Sequence, residues 1–136
     1  MPEIFKLLLC LQDQKDSMWI KDTAAELDPE LIFVQKENGK QALWFLNELK
    51  IHSRFPCLIL LDINMPSNDG RETLKAIKRD PELKEIPVVV LTNSSSKADQ
   101  LFCELYGADY ISKTDEEEIR NKIERVVTGR RSVVAA

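Results

Sequence analysis

The chain is 136 residues long, which suits a single domain, and its 43% hydrophobic and 31% charged residues are typical of a globular protein. Its net charge of −4 offers no basic surface for nucleic acid, and three separated cysteines with one histidine argue against a zinc site. We expect no signal peptide, and no apolar run approaches the ~18 residues of a membrane span, so we expect a cytoplasmic protein that binds neither nucleic acid nor membrane.

Five apolar runs alternate with five helical patterns along the sequence. In chain order we predict a strand at 4–11, a helix at 17–27, a strand at 31–34, a helix at 40–51, a strand at 57–61, a helix at 72–80, a strand at 88–91, a helix at 96–106, a strand at 110–112 and a helix at 114–127. One domain is expected at 1–128, followed by a frayed tail at 129–136 and by no output domain.

The predicted strands are short and apolar on both faces, and a helix follows each of them. This pattern predicts an α/β fold in which helices cover both faces of a five-stranded parallel sheet. In such doubly wound folds the reactive groups collect at the carboxyl ends of the strands. The residues at those ends are therefore the candidates for chemistry.

Three strands end in residues that can act together on a phosphoryl group. Asp62 follows the most apolar run, Thr92 ends the fourth strand and Lys113 follows the fifth. Alone, each has an ordinary explanation: an aspartate bound to a backbone amide, part of a helix N-cap region, a lysine that reaches solvent. Together they supply a nucleophilic carboxylate, a hydroxyl and an ammonium, and the remaining charge calls for a hard cation such as Mg²⁺.

The sequence around these residues resembles the receiver domain of two-component response regulators over nearly the whole chain. The stretch 58–66 (LILLDINMP), Gly70, the strand at 88–92 and the segment 107–113 (GADYISK) match the family in order and spacing. The resemblance implies a flavodoxin-like sheet with the strand order 2-1-3-4-5.

The resemblance also implies a role for each residue of the candidate site. Asp62 would be the phosphoacceptor, Thr92 the switch hydroxyl and Lys113 the lysine that binds the phosphate. The backbone carbonyl of Asn64 would bind Mg²⁺. Tyr110 falls at the aromatic switch position, where the ring moves inward when the threonine hydroxyl turns to the phosphate.

The loop after the first strand departs from the family pattern. Receivers carry an acidic pair there that holds the metal; here either Leu11 and Gln12 replace both acids, or Gln12 and Asp13 replace the pair and one acid survives. A lost carboxylate about 4 Å from a cation forfeits on the order of a few kcal/mol. We therefore expect Mg²⁺ to bind weakly, through Asp62, the Asn64 carbonyl and water, with Asp13 and Gln12 as open candidates.

A second departure is Lys113-Thr114, where the family usually has Lys-Pro. A non-proline cis peptide would cost ~2.5–4 kcal/mol, so we expect a trans bond or a rearranged loop, with the last helix beginning at Thr114.

The resemblance implies a signalling protein rather than a conventional enzyme. A sensor histidine kinase or a histidine phosphotransfer protein would phosphorylate Asp62, and the surface formed by the fourth helix, fifth strand and fifth helix would change its affinity for a target. Slow autodephosphorylation and a monomer or weak homodimer are expected. The alternative is a degenerate receiver that binds proteins independently of phosphorylation. A flavodoxin-type electron carrier shares the fold but needs a phosphate loop that residues 12–17 do not provide.

Overall fold

The computed structural model describes residues 3–64, 69–93 and 96–135, and within them all side chains except those of 3–5, 69 and 129–135. Strands and helices alternate in the order β1 (Glu3–Leu11), α1 (Gln14–Leu27), β2 (Ile32–Lys36), α2 (Gly39–Ile51), β3 (Arg54–Asp62), α3 (Asp69–Arg79), β4 (Val88–Thr92), α4 (Lys97–Leu105), β5 (Asp109–Ser112) and α5 (Glu116–Ala135). Each predicted strand and helix is present, with shifted ends.

The five strands form one sheet in the order β2-β1-β3-β4-β5. Every neighbouring pair is parallel, so all five carboxyl ends lie along one edge of the sheet. The predicted fold class and the flavodoxin-like strand order are confirmed.

Side chains alternate between the two faces of the sheet, and each face carries its own core. In β1, Leu7, Leu9 and Leu11 face the core built with α2, α3 and α4. Leu8 and Cys10 face the opposite core, built with α1 and α5. Because helices cover both faces, β1 is apolar at successive positions instead of alternating with polar residues.

β3 is buried along almost its whole length. The side chains from Leu58 to Leu61 are each at most 1% exposed, and burial of each contributes roughly 1.5–3 kcal/mol to stability. This strand ends at Asp62, so the carboxylate is attached to one of the most firmly packed segments of the molecule.

α1 begins earlier than predicted. The sequence suggested a start near Ser17, but the helix starts at Gln14 because the Asp13 carboxylate accepts a hydrogen bond from the backbone N–H of Lys15 at 2.7 Å. This contact satisfies one of the donors that the first turn of a helix leaves without an internal partner.

α5 differs from the prediction at both ends. It starts at Glu116, not Thr114, because Asp115 accepts the backbone N–H of Glu118 at 3.1 Å. The end predicted near Val127 is wrong, since the helix continues to Ala135 and residues 129–135, predicted as a frayed tail, lie within its bounds. A glycine such as Gly129 costs a helix only about 1 kcal/mol relative to alanine.

Within the described ranges, no helix is both long and apolar enough to cross a membrane.

Candidate functional site

Three strand ends lie side by side at the carboxyl edge of the sheet. Asp62 ends β3 and pairs with Leu91 of β4, while Thr92 ends β4 and pairs with Ser112 of β5. Lys113 follows Ser112 directly, and its backbone N–H donates to the carbonyl oxygen of Thr92 at 2.9 Å. The parallel topology therefore brings together the three residues that the sequence singled out.

The carboxylate of Asp62 is almost fully buried, at 1% exposure, and both of its oxygens have partners. Oδ2 lies 2.5 Å from the ammonium nitrogen of Lys113. Oδ1 accepts a hydrogen bond from the backbone N–H of Asn64 at 2.8 Å. A buried carboxylate is stable only when it is paired and hydrogen-bonded, and these two contacts meet that condition.

Hydrogen bonds connect the loops that surround this carboxylate. The side-chain oxygen of Asn64 accepts the backbone N–H of Asn93 at 2.7 Å, which ties the loop after β3 to the loop after β4. The bond from Lys113 to Thr92 ties the loop after β5 to the same strand end. Thr92 itself is fully buried. Residues 65–68, part of the family-like stretch, lie outside the described residues.

Gly70 in the first turn of α3 lies directly against the strand end that carries Asp62. A Cβ atom at this position would lie 2.5 Å from the carbonyl oxygen of Asp62 and 2.7 Å from the Cα of Ile63. Real Cβ atoms do not approach backbone atoms so closely, so only glycine fits here without a shift. This contact explains why a glycine is needed to close the loop after β3.

The loop after β5 is built without a cis bond. No described peptide bond is cis, which confirms the trans bond expected between Lys113 and Thr114. The Ser112 hydroxyl accepts the backbone N–H of Thr114 at 3.3 Å and lies 3.0 Å from the Thr114 hydroxyl. These local bonds form a turn that leads into α5.

The loop after β1 agrees with the register in which Leu11 and Gln12 stand in place of both acids. Leu11 is buried in the core on the α2, α3 and α4 face, and Gln12 is only 3% exposed. The Gln12 side-chain oxygen accepts from the thiol of Cys10 at 3.6 Å and lies 3.3 Å from the hydroxyl of Ser17, which also donates to the Asp13 carbonyl at 2.9 Å. Asp13, in contrast, is exposed and caps α1, so the structure does not join it to the buried pair of Asp62 and Lys113.

These residues fit a divalent cation only in part. Mg²⁺ prefers oxygen ligands in an octahedral arrangement and keeps several waters. Asp62 offers a carboxylate and Asn64 a main-chain carbonyl, but the side-chain oxygen of Gln12 points towards the Cys10 thiol and the Ser17 hydroxyl. Among the described residues, no three histidine, cysteine, aspartate or glutamate side chains are close enough together to hold a metal ion.

Cys10 lies beside the site, but its thiol is unreactive near neutral pH. Burial raises the pKa of its thiol to about 12; the hydrogen bond with Ser17 opposes this shift, and the charge of Asp62 adds to it. Such a thiol is not a nucleophile near neutral pH. Cys10, Cys57 and Cys103 are all buried and form no disulfide.

Tyr110, the predicted aromatic switch residue, is half-buried on β5 and packs against the core on the α2, α3 and α4 face.

The sequence analysis missed a cluster that joins α3 to α4. Arg71 is paired with Asp99, and its guanidinium lies 5.0 Å from the ring centre of Phe102. That ring is 5.1 Å from the ring of Tyr106. No sequence signal connects Arg71 with residues of a different helix.

A family model and a known protein each match most of this chain. The family model described as response regulator receiver domain matches residues 8–124. Response regulator Rcp1 of Synechocystis sp. is 40% identical over 115 residues, which cover 80% of this chain and 77% of that protein.

Solved structures of response regulators are also similar to this chain. The phosphorylated cyanobacterial phytochrome response regulator RcpA has a TM-score of 0.73 and 32% identity, over 88% of this chain and 89% of that one. The Mn²⁺-bound form of response regulator Rcp1 has a TM-score of 0.66 and 30% identity, over 92% and 91% of the two chains. The family match covers most of the sequence and every residue of the site, and the chain therefore belongs to the response regulator receiver domain family.

Proposed function

We propose that Asp62 is the phosphoacceptor of this two-component receiver. In the transfer, an Asp62 oxygen forms a bond to phosphorus while the phosphorus–nitrogen bond of a partner phosphohistidine breaks, and the histidine nitrogen keeps the electron pair. The observation that carries the proposal is the buried Asp62 carboxylate held between the Lys113 ammonium and the Asn64 N–H. Because the carboxylate lies at a strand end, we expect the partner to approach it from the loop side.

Lys113 and Thr92 have separate tasks in this proposal. The Lys113 ammonium, already 2.5 Å from the carboxylate, neutralises charge on the phosphoryl oxygens. The Thr92 hydroxyl, buried at the neighbouring strand end, hydrogen-bonds another phosphoryl oxygen. When Thr92 turns towards the phosphate, Tyr110 moves inward and alters the surface around β5.

Receiver domains bind a divalent metal, and we propose that Mg²⁺ binds here weakly. The Asp62 carboxylate and the Asn64 main-chain carbonyl would hold it together with water. When bound, the cation neutralises phosphoryl charge that Lys113 and Thr92 leave uncompensated.

We propose that the signal leaves through α4, β5 and α5. Leu101 and Leu105 lie four residues apart on α4 and are 58% and 81% exposed, which gives this face an apolar patch for a protein partner. Phosphorylation biases a two-state equilibrium, so the output is the difference in partner affinity between the two forms. We expect one domain at 1–128, in the cytoplasm, as a monomer or weak homodimer, with a kinase or phosphotransfer protein as donor.

The test is direct phosphorylation. With Mg²⁺ and acetyl phosphate, we expect the intact mass to rise by one phosphoryl group in the unchanged chain and not in the Asp62→Asn variant. Asp22→Asn, which makes the same substitution at an exposed position of α1, is the matched control and should keep the adduct. Absence of any adduct in the unchanged chain at high Mg²⁺ would favour a receiver that only binds proteins.

A further inference from the structure

The side chain of Gln12 is a buried amide in which only the oxygen has hydrogen-bond contacts among the described residues. Its oxygen accepts from the Cys10 thiol and lies 3.3 Å from the Ser17 hydroxyl, which is shared with the Asp13 carbonyl at 2.9 Å. Its main chain is also fixed, because its N–H donates to the Lys36 carbonyl at 3.1 Å and its carbonyl accepts from the Gln35 amide at 2.6 Å. Among the described residues, the Gln12 amide nitrogen has no hydrogen-bond partner although the residue is only 3% exposed.

Gln12 lies beside Asp62. The register of β1 and β3 pairs Cys10 with Leu60 and Leu11 with Leu61, so the next position along β1 stands next to Asp62. Paired strands are about 4.8 Å apart. Cys10 and Leu60 belong to the same core, and side chains two residues further along each strand point to the same face. The charge of Asp62 acts on the Cys10 thiol, which agrees with this closeness.

The direction of the amide decides what it can bind. An amide nitrogen carries two N–H donors and cannot ligate a cation, whereas an amide oxygen can. Here the oxygen points towards the Cys10 thiol and the Ser17 hydroxyl, at 3.6 and 3.3 Å, so the end left for a ligand is the donor end. A buried donor without a partner costs free energy that an anionic ligand recovers on binding.

We propose that Gln12 binds the phosphoryl group on Asp62, donating from its amide nitrogen to a phosphoryl oxygen. This inference rests on the proposed role of Asp62. In receivers this loop supplies carboxylates that reach the phosphate through a metal; here it supplies a neutral donor that contacts the phosphate directly. Gln12 thus compensates part of the lost cation affinity by binding the anion itself.

The test compares binding of an anion with binding of a metal alone. Beryllofluoride imitates the phosphoryl group, and its bound form is measured by fluorine NMR at saturating Mg²⁺. The Gln12→Met variant keeps the size of the side chain but removes the donor. We expect it to bind beryllofluoride about tenfold to a hundredfold more weakly, the range for a hydrogen bond to a charged group. Its affinity for Mn²⁺ alone, measured by paramagnetic resonance, should be unchanged.

Gln14→Met is the matched control, since Gln14 is exposed in the first turn of α1, and it should bind both ligands normally. Loss of Mn²⁺ affinity in Gln12→Met would overturn the inference, because the oxygen would then be the metal ligand. Equal beryllofluoride affinity in the two variants would also overturn it while leaving Asp62 as acceptor. No bound signal in the unchanged chain would overturn both proposals.

A second measurement avoids any effect of the substitution on folding. In the unchanged chain labelled with nitrogen-15 in its glutamine side chains, beryllofluoride should shift the Gln12 amide resonance and slow its exchange with solvent. The resonances of Gln14 on α1 and Gln41 on α2, both exposed and outside the signalling surface, should stay in place. A Gln12 resonance that does not move contradicts the contact.

Discussion

The Lys113 ammonium is the charge that allows Asp62 to stay buried. The two groups are 2.5 Å apart, and the lysine side chain retains 15% of its exposure. A buried ion pair contributes little net stability when complete, because both charges lose solvent. Loss of one partner is different, since the other charge is then left without compensation.

We therefore expect Lys113→Met to lower the free energy of unfolding by roughly 3 kcal/mol, towards the lower end for a broken buried pair because Lys113 keeps some contact with water. Urea unfolding followed by circular dichroism measures this change. The double variant Lys113→Met with Asp62→Asn should lose less, because no unpaired charge remains. Equal losses in the single and double variants would mean that the pair contributes through packing alone.

At the scale of the helix, Asp13 acts as the cap of α1. Its carboxylate accepts the N–H of Lys15, and a cap of this kind contributes about 1 kcal/mol. We expect Asp13→Ala to lower unfolding stability by about that amount, measured in urea, and to leave cation affinity unchanged in a Mn²⁺ titration. Asp13→Asn keeps a capping oxygen and should keep the stability. A fall in cation affinity in both variants would instead make Asp13 a metal ligand.

The start of α3 gives a second prediction at this scale. Because a Cβ on Gly70 would meet the backbone at Asp62 and Ile63, we expect Gly70→Ala to destabilise the protein by about 1–3 kcal/mol through overpacking. The variant should also form the phosphoryl adduct more slowly, since the acceptor is attached to the segment that must move. Gly107 is the control. An added Cβ there would meet nothing within 4 Å, but its φ of +67° strains any residue other than glycine. Gly107→Ala should therefore lose stability without slowing the adduct.

The ends of the strands could be predicted from the sequence, whereas the start of α1 could not. Strand ends at Asp62 and Thr92 follow from apolar runs, and parallel topology then brings them together. The start of α1 could not be predicted, because Asp13, Asp16 and Ser17 are all acceptable caps and only the path of the chain leaving β1 selects one of them. The contact between Ser17 and the Gln12 side-chain oxygen could not be predicted for the same reason, because the path of this helix decides where the Ser17 hydroxyl lies.

For the whole molecule, the buried thiols predict how stability depends on pH. The Cys10 pKa is raised from its ordinary value of 9.0 to about 12 in the folded chain. Between these values the unfolded chain loses the proton and the folded chain keeps it, so stability falls as pH rises. We expect Cys10 to account for a loss of about 1.4 kcal/mol between about pH 8 and pH 10.

Urea unfolding at the two pH values measures this loss. Cys10→Ala should be less stable at both but should show a smaller decrease between them. Cys103 has a pKa raised to about 11, mainly by burial, and adds a similar decrease that remains in the Cys10 variant. An identical pH dependence in both proteins would show that Cys10 ionises as easily in the folded chain as in the unfolded one.

Hydrogen bonds, one ion pair and the chain itself form a closed ring around Asp62. The ring runs from Oδ1 through Asn64 and Asn93 to the neighbouring residue Thr92, and from there through Lys113 back to Oδ2. A carboxylate oxygen that becomes bonded to phosphorus in an acyl phosphate cannot keep its former contact unchanged, so a phosphoryl group on either oxygen opens this ring. Three loops then need new partners at the same time. A single covalent event at Asp62 therefore changes the contacts of all three loops together.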